Sequence, residues 1–268
     1  MEKTNQQLEP GKVTICVVNY KTEELTRLCL RSIRRYTEYP YEVIVVDNGS
    51  NDSSLEYLRT VSWIKLIERS PEEMKHTGSW AHGSALDIGL KECKTEYYMA
   101  LHSDTLVHKK GWLRELVEMG DADTVCLGGG KLDLKPKWEI ILKQCTDYKK
   151  WLRQMRDKNA EKFYIRTICA LYRTEILKNE KMQFYYPETK MTCGKQLYME
   201  FLERGYKTKV LTPWQMSEYI YHLAHATMVL NPEFSVRKRT EKKCKKQLER
   251  IFSSPIVKEI MQDDSLDS

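Results

Sequence analysis

The chain lacks the marks of several common protein classes. It holds no run of about 18 apolar residues free of charge, which excludes a helix that spans a bilayer. Its eight cysteines are scattered with no Cys-x-x-Cys pair, a pattern that fits a reduced cytoplasmic compartment better than a disulfide framework or a zinc ribbon. Residues 1–11 are polar and lack the apolar centre of a secretory signal. The first β-branched run, at 13–19, leads into Asn19-Tyr20-Lys21-Thr22 without a glycine, so a dinucleotide fingerprint is missing. The Gly128-Gly129-Gly130 run comes too late in the chain and has the wrong spacing to supply one. A phosphate loop of the Gly-x-x-x-x-Gly-Lys-Ser/Thr type and a Gly-x-Ser-x-Gly elbow are also absent, which removes P-loop enzymes and serine hydrolases of the elbow type.

What is present is enough for one large α/β domain: 268 residues, 41% of them hydrophobic, with a net charge of +6. The charge is uneven. Residues 237–250 carry eight Lys or Arg against two Glu. Such a stretch is either a solvated helix face or a contact for anionic lipid headgroups or an acidic ligand. No nucleic acid partner is expected, because no recognised binding motif or stacking ladder accompanies it.

Apolar periodicity alternates along the chain. Strands are expected at 13–19, 41–46, 63–68, 97–101, 124–127, 165–172 and 207–211. Helices are expected at 22–36, 52–61, 79–92, 111–119 and 193–204, and another near 146–157 in a looser Lys- and Trp-rich stretch. Thr22 reads as an N-cap with Glu23 and Glu24 behind it, and Gly205 as a left-handed C-cap. Residues 262–268 are expected to fray. The alternation argues for an α/β fold with a mostly parallel central sheet flanked by helices on both faces. Within it, the run Tyr41-Glu42-Val43-Ile44-Val45-Val46 stops abruptly at Asp47-Asn48-Gly49-Ser50. Ligands of open α/β sheets gather at the carboxyl ends of strands, so Asp47 is expected at the mouth of a cleft, as a ligand contact or as a turn cap.

Four segments then fall in order: Val17-Val18-Asn19-Tyr20-Lys21-Thr22, Val45-Val46-Asp47-Asn48-Gly49-Ser50, Ala85-Leu86-Asp87-Ile88-Gly89-Leu90, and Leu101-His102-Ser103-Asp104 with Gly111-Trp112-Leu113. On these residues the chain resembles a family 2 glycosyltransferase with the GT-A fold, over residues 12–130 and weakly to about 213. The resemblance implies a nucleotide-sugar-binding half at 12–130 and an acceptor half at 131–230, followed by a basic helical appendage at 231–268. It also implies transfer of a sugar from a nucleoside diphosphate donor to a hydroxyl of a glycan or lipid-linked acceptor, with inversion and with a divalent cation, Mn²⁺ or Mg²⁺. The expected location is cytoplasmic, with contact at the inner face of the membrane as the alternative to a simply solvated basic segment.

The same resemblance assigns residues. Asp104 ends the segment where such enzymes carry an acidic metal motif, and a carboxylate is a hard ligand for a cation that neutralises a diphosphate leaving group. His102 stands where an acid is commoner, as a nitrogen ligand, a supporting group or a phosphate donor, and imidazole favours Mn²⁺ over Mg²⁺. A second histidine ligand is expected from His222 or His225, with His222 preferred because it follows a short strand pattern. Asn19, Tyr20, Asp47, Asn48, Ser103 and His76 are the nucleotide contacts, with His82 close by. The bland alternatives are turn caps for the two aspartates and packing for Tyr20 and the histidines. Trp138, Tyr148, Trp151 and Trp214 are candidates for stacking on sugar rings. The catalytic base is the weak point. Thr192-Cys193-Gly194 precedes the helix that ends at Arg204-Gly205-Tyr206, so the usual acidic pair is missing there. Glu188 is the nearest carboxylate, and the alternative is a nucleotide-sugar-binding protein without catalysis.

Overall fold

The computed structural model describes residues 7–74, 78–130, 164–189 and 191–268. His76 and the aromatic candidates Trp138, Tyr148 and Trp151 lie outside the described residues, as does the helix expected near 146–157.

The first half alternates as expected: β1 (Glu9–Asn19), α1 (Glu23–Tyr36), β2 (Tyr41–Asp47), α2 (Ser53–Thr60), β3 (Ile64–Glu68), α3 (Ser79–Glu92), β4 (Thr95–His102), β5 (Thr105–Val107), α4 (Trp112–Met119) and β6 (Thr124–Gly129). The second half holds β7 (Cys169–Arg173), α5 (Thr174–Asn179), α6 (Lys195–Glu203), β8 (Lys207–Leu211), α7 (Pro213–Ser217), β9 (Ile220–His222), α8 (Ala226–Leu230), α9 (Lys238–Phe252) and α10 (Pro255–Gln262). One seven-stranded sheet runs β3-β2-β1-β4-β7-β6-β8, and β5 pairs with β9 in a separate ribbon. Within the large sheet only β7 runs against its neighbours, β4 and β6.

The alternation of side chains along β1 explains why the sheet is covered twice. Val13, Ile15 and Val17 face one core with Cys29, Leu30 and Ile33 of α1, and Tyr57 and Leu58 of α2. Cys16 and Val18 face the other, with Ala85, Leu86 and Leu90 of α3. A strand buried on both faces reads as a near-continuous apolar run, and its one polar break, Thr14, bonds Glu42 at 2.7 Å and Thr95 at 2.7 Å.

Three local readings differ from expectation. Thr22 makes no side-chain cap; its hydroxyl lies 3.3 Å from that of Thr26, which in turn donates to Asn19 Oδ1 at 2.7 Å. Residues 164–168 precede β7 as irregular chain and serve the site, with the His102 amide donating to Ile168 O at 3.0 Å. Finally, residues 262–268 do not fray. They form a 3-10 turn (Asp264–Asp267) held by Arg31, whose side chain is 2% exposed. The guanidinium bonds Met261 O at 2.6 Å, Asp264 at 2.7 Å and both oxygens of Asp267, while Tyr57 donates to Asp267 at 2.8 Å and Trp63 to Leu266 O at 2.8 Å. No sequence pattern announces a partner more than 200 residues away.

Removing one side of a buried ion pair leaves the other side unpaired and is costly, whereas an exposed carboxylate can be lost cheaply. Arg31→Ala is therefore expected to lower unfolding free energy by about 3 kcal/mol in urea denaturation. Asp264→Asn, with Asp264 92% exposed, should cost less than about 1 kcal/mol. Equal effects of the two would show that the C-terminal turn is not anchored through Arg31.

Candidate active site

The strands β2, β1 and β4 lie side by side and parallel, so their carboxyl ends open on one edge of the sheet: Asn19 is in register with Asp47, and Val18 with His102. Asp47 is fully buried. It accepts from Asn19 Nδ2 at 2.7 Å, from the Ser50 amide at 2.9 Å and from Ser50 Oγ at 2.5 Å. Gly49 makes this turn at φ +70°, and an added Cβ would stand 3.2 Å from the Pro71 backbone, so both its conformation and its space suit glycine. Asp47 and Asn19 thus hold the turn rigid. Asn48, also buried, donates to Ala81 O at 3.2 Å and accepts from Arg69 at 2.9 Å.

Arg69, at the end of β3, went unnoticed in the sequence. Its guanidinium is buried and donates to Asn48 Oδ1 and, at 3.0 Å, to Ser84 Oγ. It also lies 5.2 Å from the Trp80 ring centre. Burial lowers its pKa against the more distant charge of Glu73, and it makes no ion pair among the described residues. A buried guanidinium whose hydrogen bonds go only to amide and hydroxyl oxygens suits an anionic or carbonyl-rich ligand. The available signal was its position, directly after a strand that ends beside Asp47.

Tyr20 follows β1, half-buried. Its hydroxyl donates to Glu233 at 2.8 Å and its ring meets Phe234 edge-on at 6.0 Å; Lys21 pairs with the same Glu233 at 3.0 Å. The chain after β1 is in this way tied to the loop before α9.

On the other side of β1, the ribbon of β5 and β9 sets a histidine–carboxylate cluster. Thr105 is in register with His222, and the Leu223 amide donates to Asp104 O at 2.8 Å. Asp104 Oδ1 then faces His222 Nε2 at 3.3 Å and His102 Nδ1 at 3.5 Å. The three ligand atoms lie within 4.8 Å of one another. Burial by itself would raise the Asp104 carboxyl, but the charge of His222 and contacts from both imidazoles hold it well below the usual carboxylate range. Even so, Oδ1 is buried and completes no hydrogen bond. The two contacts are longer than the ~2.8 Å of a charge-assisted bond and close to the ~3 Å that separates neighbouring ligands of an octahedral ion at about 2.1 Å. Two imidazoles and a carboxylate fit a divalent cation.

The remaining candidates fall around this cluster or away from it. Ser103 is buried between His102 and Asp104 in the chain. His82 packs on the His102 ring with centres 4.6 Å apart and meets Thr167 Oγ1 at 3.3 Å. Burial, reinforced by His102, pushes its pKa down to about 3, which leaves it neutral. His225 adopts a left-handed backbone (φ +69°) at the start of α8 and is not part of the cluster. Glu188 is exposed on a turn closed by the Thr189 amide to Tyr186 O at 3.2 Å. Its segment packs on α3, where the Phe184 amide donates to Asp87 at 2.7 Å and a Cβ on Gly83 would collide with Tyr185 Cβ at 2.6 Å. Burial raises the Asp87 carboxyl to about 6 despite that amide. At the start of α6, Thr192 bonds the Tyr164 hydroxyl at 2.9 Å, and Gly194 abuts Thr167 with no carboxylate in residues 192–194.

The sequence model of glycosyl transferase family 2 matches residues 14–180, more than half of the chain. The chain belongs to this family. It is a glycosyltransferase, and its mostly parallel sheet is the GT-A fold. The poly(ribitol-phosphate) beta-N-acetylglucosaminyltransferase TarP of Staphylococcus aureus is 24% identical over 254 residues, 92% of this chain and 74% of TarP. A teichoic acid poly(glycerol phosphate) polymerase of Staphylococcus epidermidis is 32% identical over 102 residues, which cover 35% of this chain and 13% of that much longer protein. Among solved structures, the mannosyltransferase PcManGT of Pyrobaculum calidifontis, held with GDP-Man and Mn²⁺, superposes with a TM-score of 0.55 at 18% identity, covering 95% of this chain and 69% of that one. S. aureus TarS gives 0.54 at 17% identity, over 90% and 44%. These superpositions establish the fold.

If the cluster holds a cation, Mn²⁺ added with UDP should raise the melting temperature by several degrees, since saturation a hundredfold above Kd contributes about 2.7 kcal/mol. Asp104→Asn and His222→Gln, close in shape to the native side chains, should each weaken that Mn²⁺ dependence by more than about 100-fold. An unchanged Mn²⁺ titration in Asp104→Asn would remove the assignment.

Proposed function

We propose that this glycosyltransferase moves a sugar from a nucleoside diphosphate-sugar, UDP-linked in the first instance, to an acceptor hydroxyl with inversion at C1, assisted by Mn²⁺ or Mg²⁺ at His102, Asp104 and His222. The observation that carries the reading is the buried Asp104 oxygen, unbonded, with two imidazole nitrogens 3.3 and 3.5 Å away at the carboxyl edge of the sheet. A cation bound there supplies positive charge for the diphosphate as it leaves. The donor lies across the strand ends: Asp47 and Asn19 keep the turn in place, Asn48 and Arg69 face the nucleoside, Tyr20 presents its ring edge, and Ser103 sits next to the metal ligands. Uridine is favoured because TarS has been solved with UDP-GlcNAc and TarP is named an N-acetylglucosaminyltransferase. The same names make a polyol phosphate hydroxyl the first acceptor class to test.

For the base, we assign Glu188. It stands on the turn that follows the segment packed against α3, the helix that carries His82, and residues 192–194 offer no acid in its stead. General-base catalysis is worth about 10²–10⁴ in rate. The reaction is proposed to run in the cytoplasm, where the seven described cysteines, all unpaired, stay reduced.

Two outcomes decide this. Incubation with UDP-sugars and metal should release UDP, with GDP-Man a poorer donor, and the anomeric configuration of the product read by NMR should be opposite to that of the donor. Glu188→Gln should lower kcat by about 100-fold or more with donor KM little changed. A Glu188→Gln enzyme of normal kcat would place the base elsewhere, and retention at C1 would refute inversion.

A further inference from the structure

The helix α9 sorts its residues by face. Cys244 is buried and Leu248, Ile251 and Phe252 are partly buried, packed with Leu25, Leu223 and Ala226. At 3.6 residues per turn, Lys238, Arg239, Lys242, Lys243, Lys245, Lys246 and Arg250 all fall on the opposite arc, roughly 160° wide, and every one is exposed. The only acid on that arc is Glu249. Lys245 pairs with Glu241 at 2.7 Å, while the other six make no ion pair among the described residues. Long basic side chains held apart from acids are a poor arrangement for stability, because like charges four residues apart repel.

A second observation concerns apolar side chains. Among the described residues, five large apolar side chains are exposed, and three of them bracket this helix: Met228 at 41% and Leu230 at 44% on α8 before it, and Ile256 at 42% on α10 after it. Both flanking helices touch α9. A polyanionic sugar polymer would reward the lysines and gain nothing from exposed Met, Leu and Ile. An anionic bilayer rewards both, with phosphates meeting the basic arc and apolar side chains entering the headgroup–acyl boundary.

We infer that α9, with Met228, Leu230 and Ile256, is a docking surface for an anionic lipid membrane. The surface is tied to the candidate site through the backbone, since α8 begins four residues after His222 and the Leu223 amide bonds Asp104 O. A chain seated this way keeps its metal cluster close to the bilayer, where a lipid-linked acceptor would be found. The inference concerns membrane binding and is measured without donor or acceptor, so it stands or falls separately from the proposed reaction.

The test is sedimentation of the full chain with vesicles of phosphatidylcholine alone and of phosphatidylcholine with 30 mol% phosphatidylglycerol (about a third anionic, as a probe composition). Binding is expected on the anionic vesicles only, and loss of most of it in about 0.5 M salt. The triple variant Lys242→Glu, Lys243→Glu, Lys246→Glu should weaken partitioning by about 100-fold, given about tenfold or less per charge near the surface. The double variant Met228→Ser, Leu230→Ser should weaken it by about tenfold or more while leaving the salt dependence intact. Both variants should keep the wild-type far-ultraviolet dichroism and UDP release, since neither touches the cluster. Equal binding to neutral and anionic vesicles, or wild-type binding by the triple variant, overturns the proposal. So does tight binding of soluble inorganic polyphosphate with no effect of the Met228 and Leu230 changes, which would mark a face for a polyanionic acceptor.

Discussion

The pairing of three residues with three others, Thr105–Val107 with Ile220–His222, is the contact on which the site depends. It brings a histidine to an aspartate 118 positions earlier in the chain and closes the join with a backbone bond from Leu223 to Asp104. A carboxylate taken from water is expensive to keep charged unless positive groups meet it. In this fold two imidazole nitrogens approach Asp104 Oδ1 at 3.3 and 3.5 Å, and that buried oxygen completes no hydrogen bond. The site thus presents one buried carboxylate oxygen between two imidazoles, a donor set that suits a divalent cation.

The rest of the fold serves to hold that ribbon against the sheet. Leu223 and Ala226, just past β9, pack on Leu25 of α1 and on Cys244 of α9. The helices α9 and α10 are in turn fastened to α1 through Arg31 and the C-terminal turn. A single helix, α1, therefore has three duties: it covers the sheet with Cys29, Leu30 and Ile33, supports the ribbon with Leu25, and anchors the C-terminal helices with Arg31. This linkage explains why its exposed surface is small and why a charged residue is found at a buried helical position.

Much of the first half was legible in advance. The largely apolar runs of β1, β2 and β4 and the stop at Asp47-Asn48-Gly49-Ser50 reported parallel strands and a shared edge, because a strand covered on both faces has little polar alternation to confuse the reading. His102, Asp104 and His222 were named from motif order and resemblance, and the fold brings all three together. What escaped was of two kinds. The ribbon partner of the strand at His222, Thr105–Val107, is three residues long, too short for any period to show, and Arg69 carries no pattern that separates a buried arginine from the many exposed ones. The tail, read as frayed from its polarity, is ordered because polarity there answers one distant guanidinium rather than water.

The order of the donor-side segments, the double coverage of the sheet and the chemistry of the metal ligands were determined by the sequence alone, since each depends on neighbours in the chain or on residue type. Tertiary structure alone decided which histidine joins Asp104, that Asp47 spends its hydrogen bonds on the turn, that Arg69 is desolvated beside Asn48 and Ser84, and that Arg31 fixes the C-terminus. Those outcomes depend on distances between groups far apart in the chain, and on the water excluded when they meet, neither of which local periodicity records.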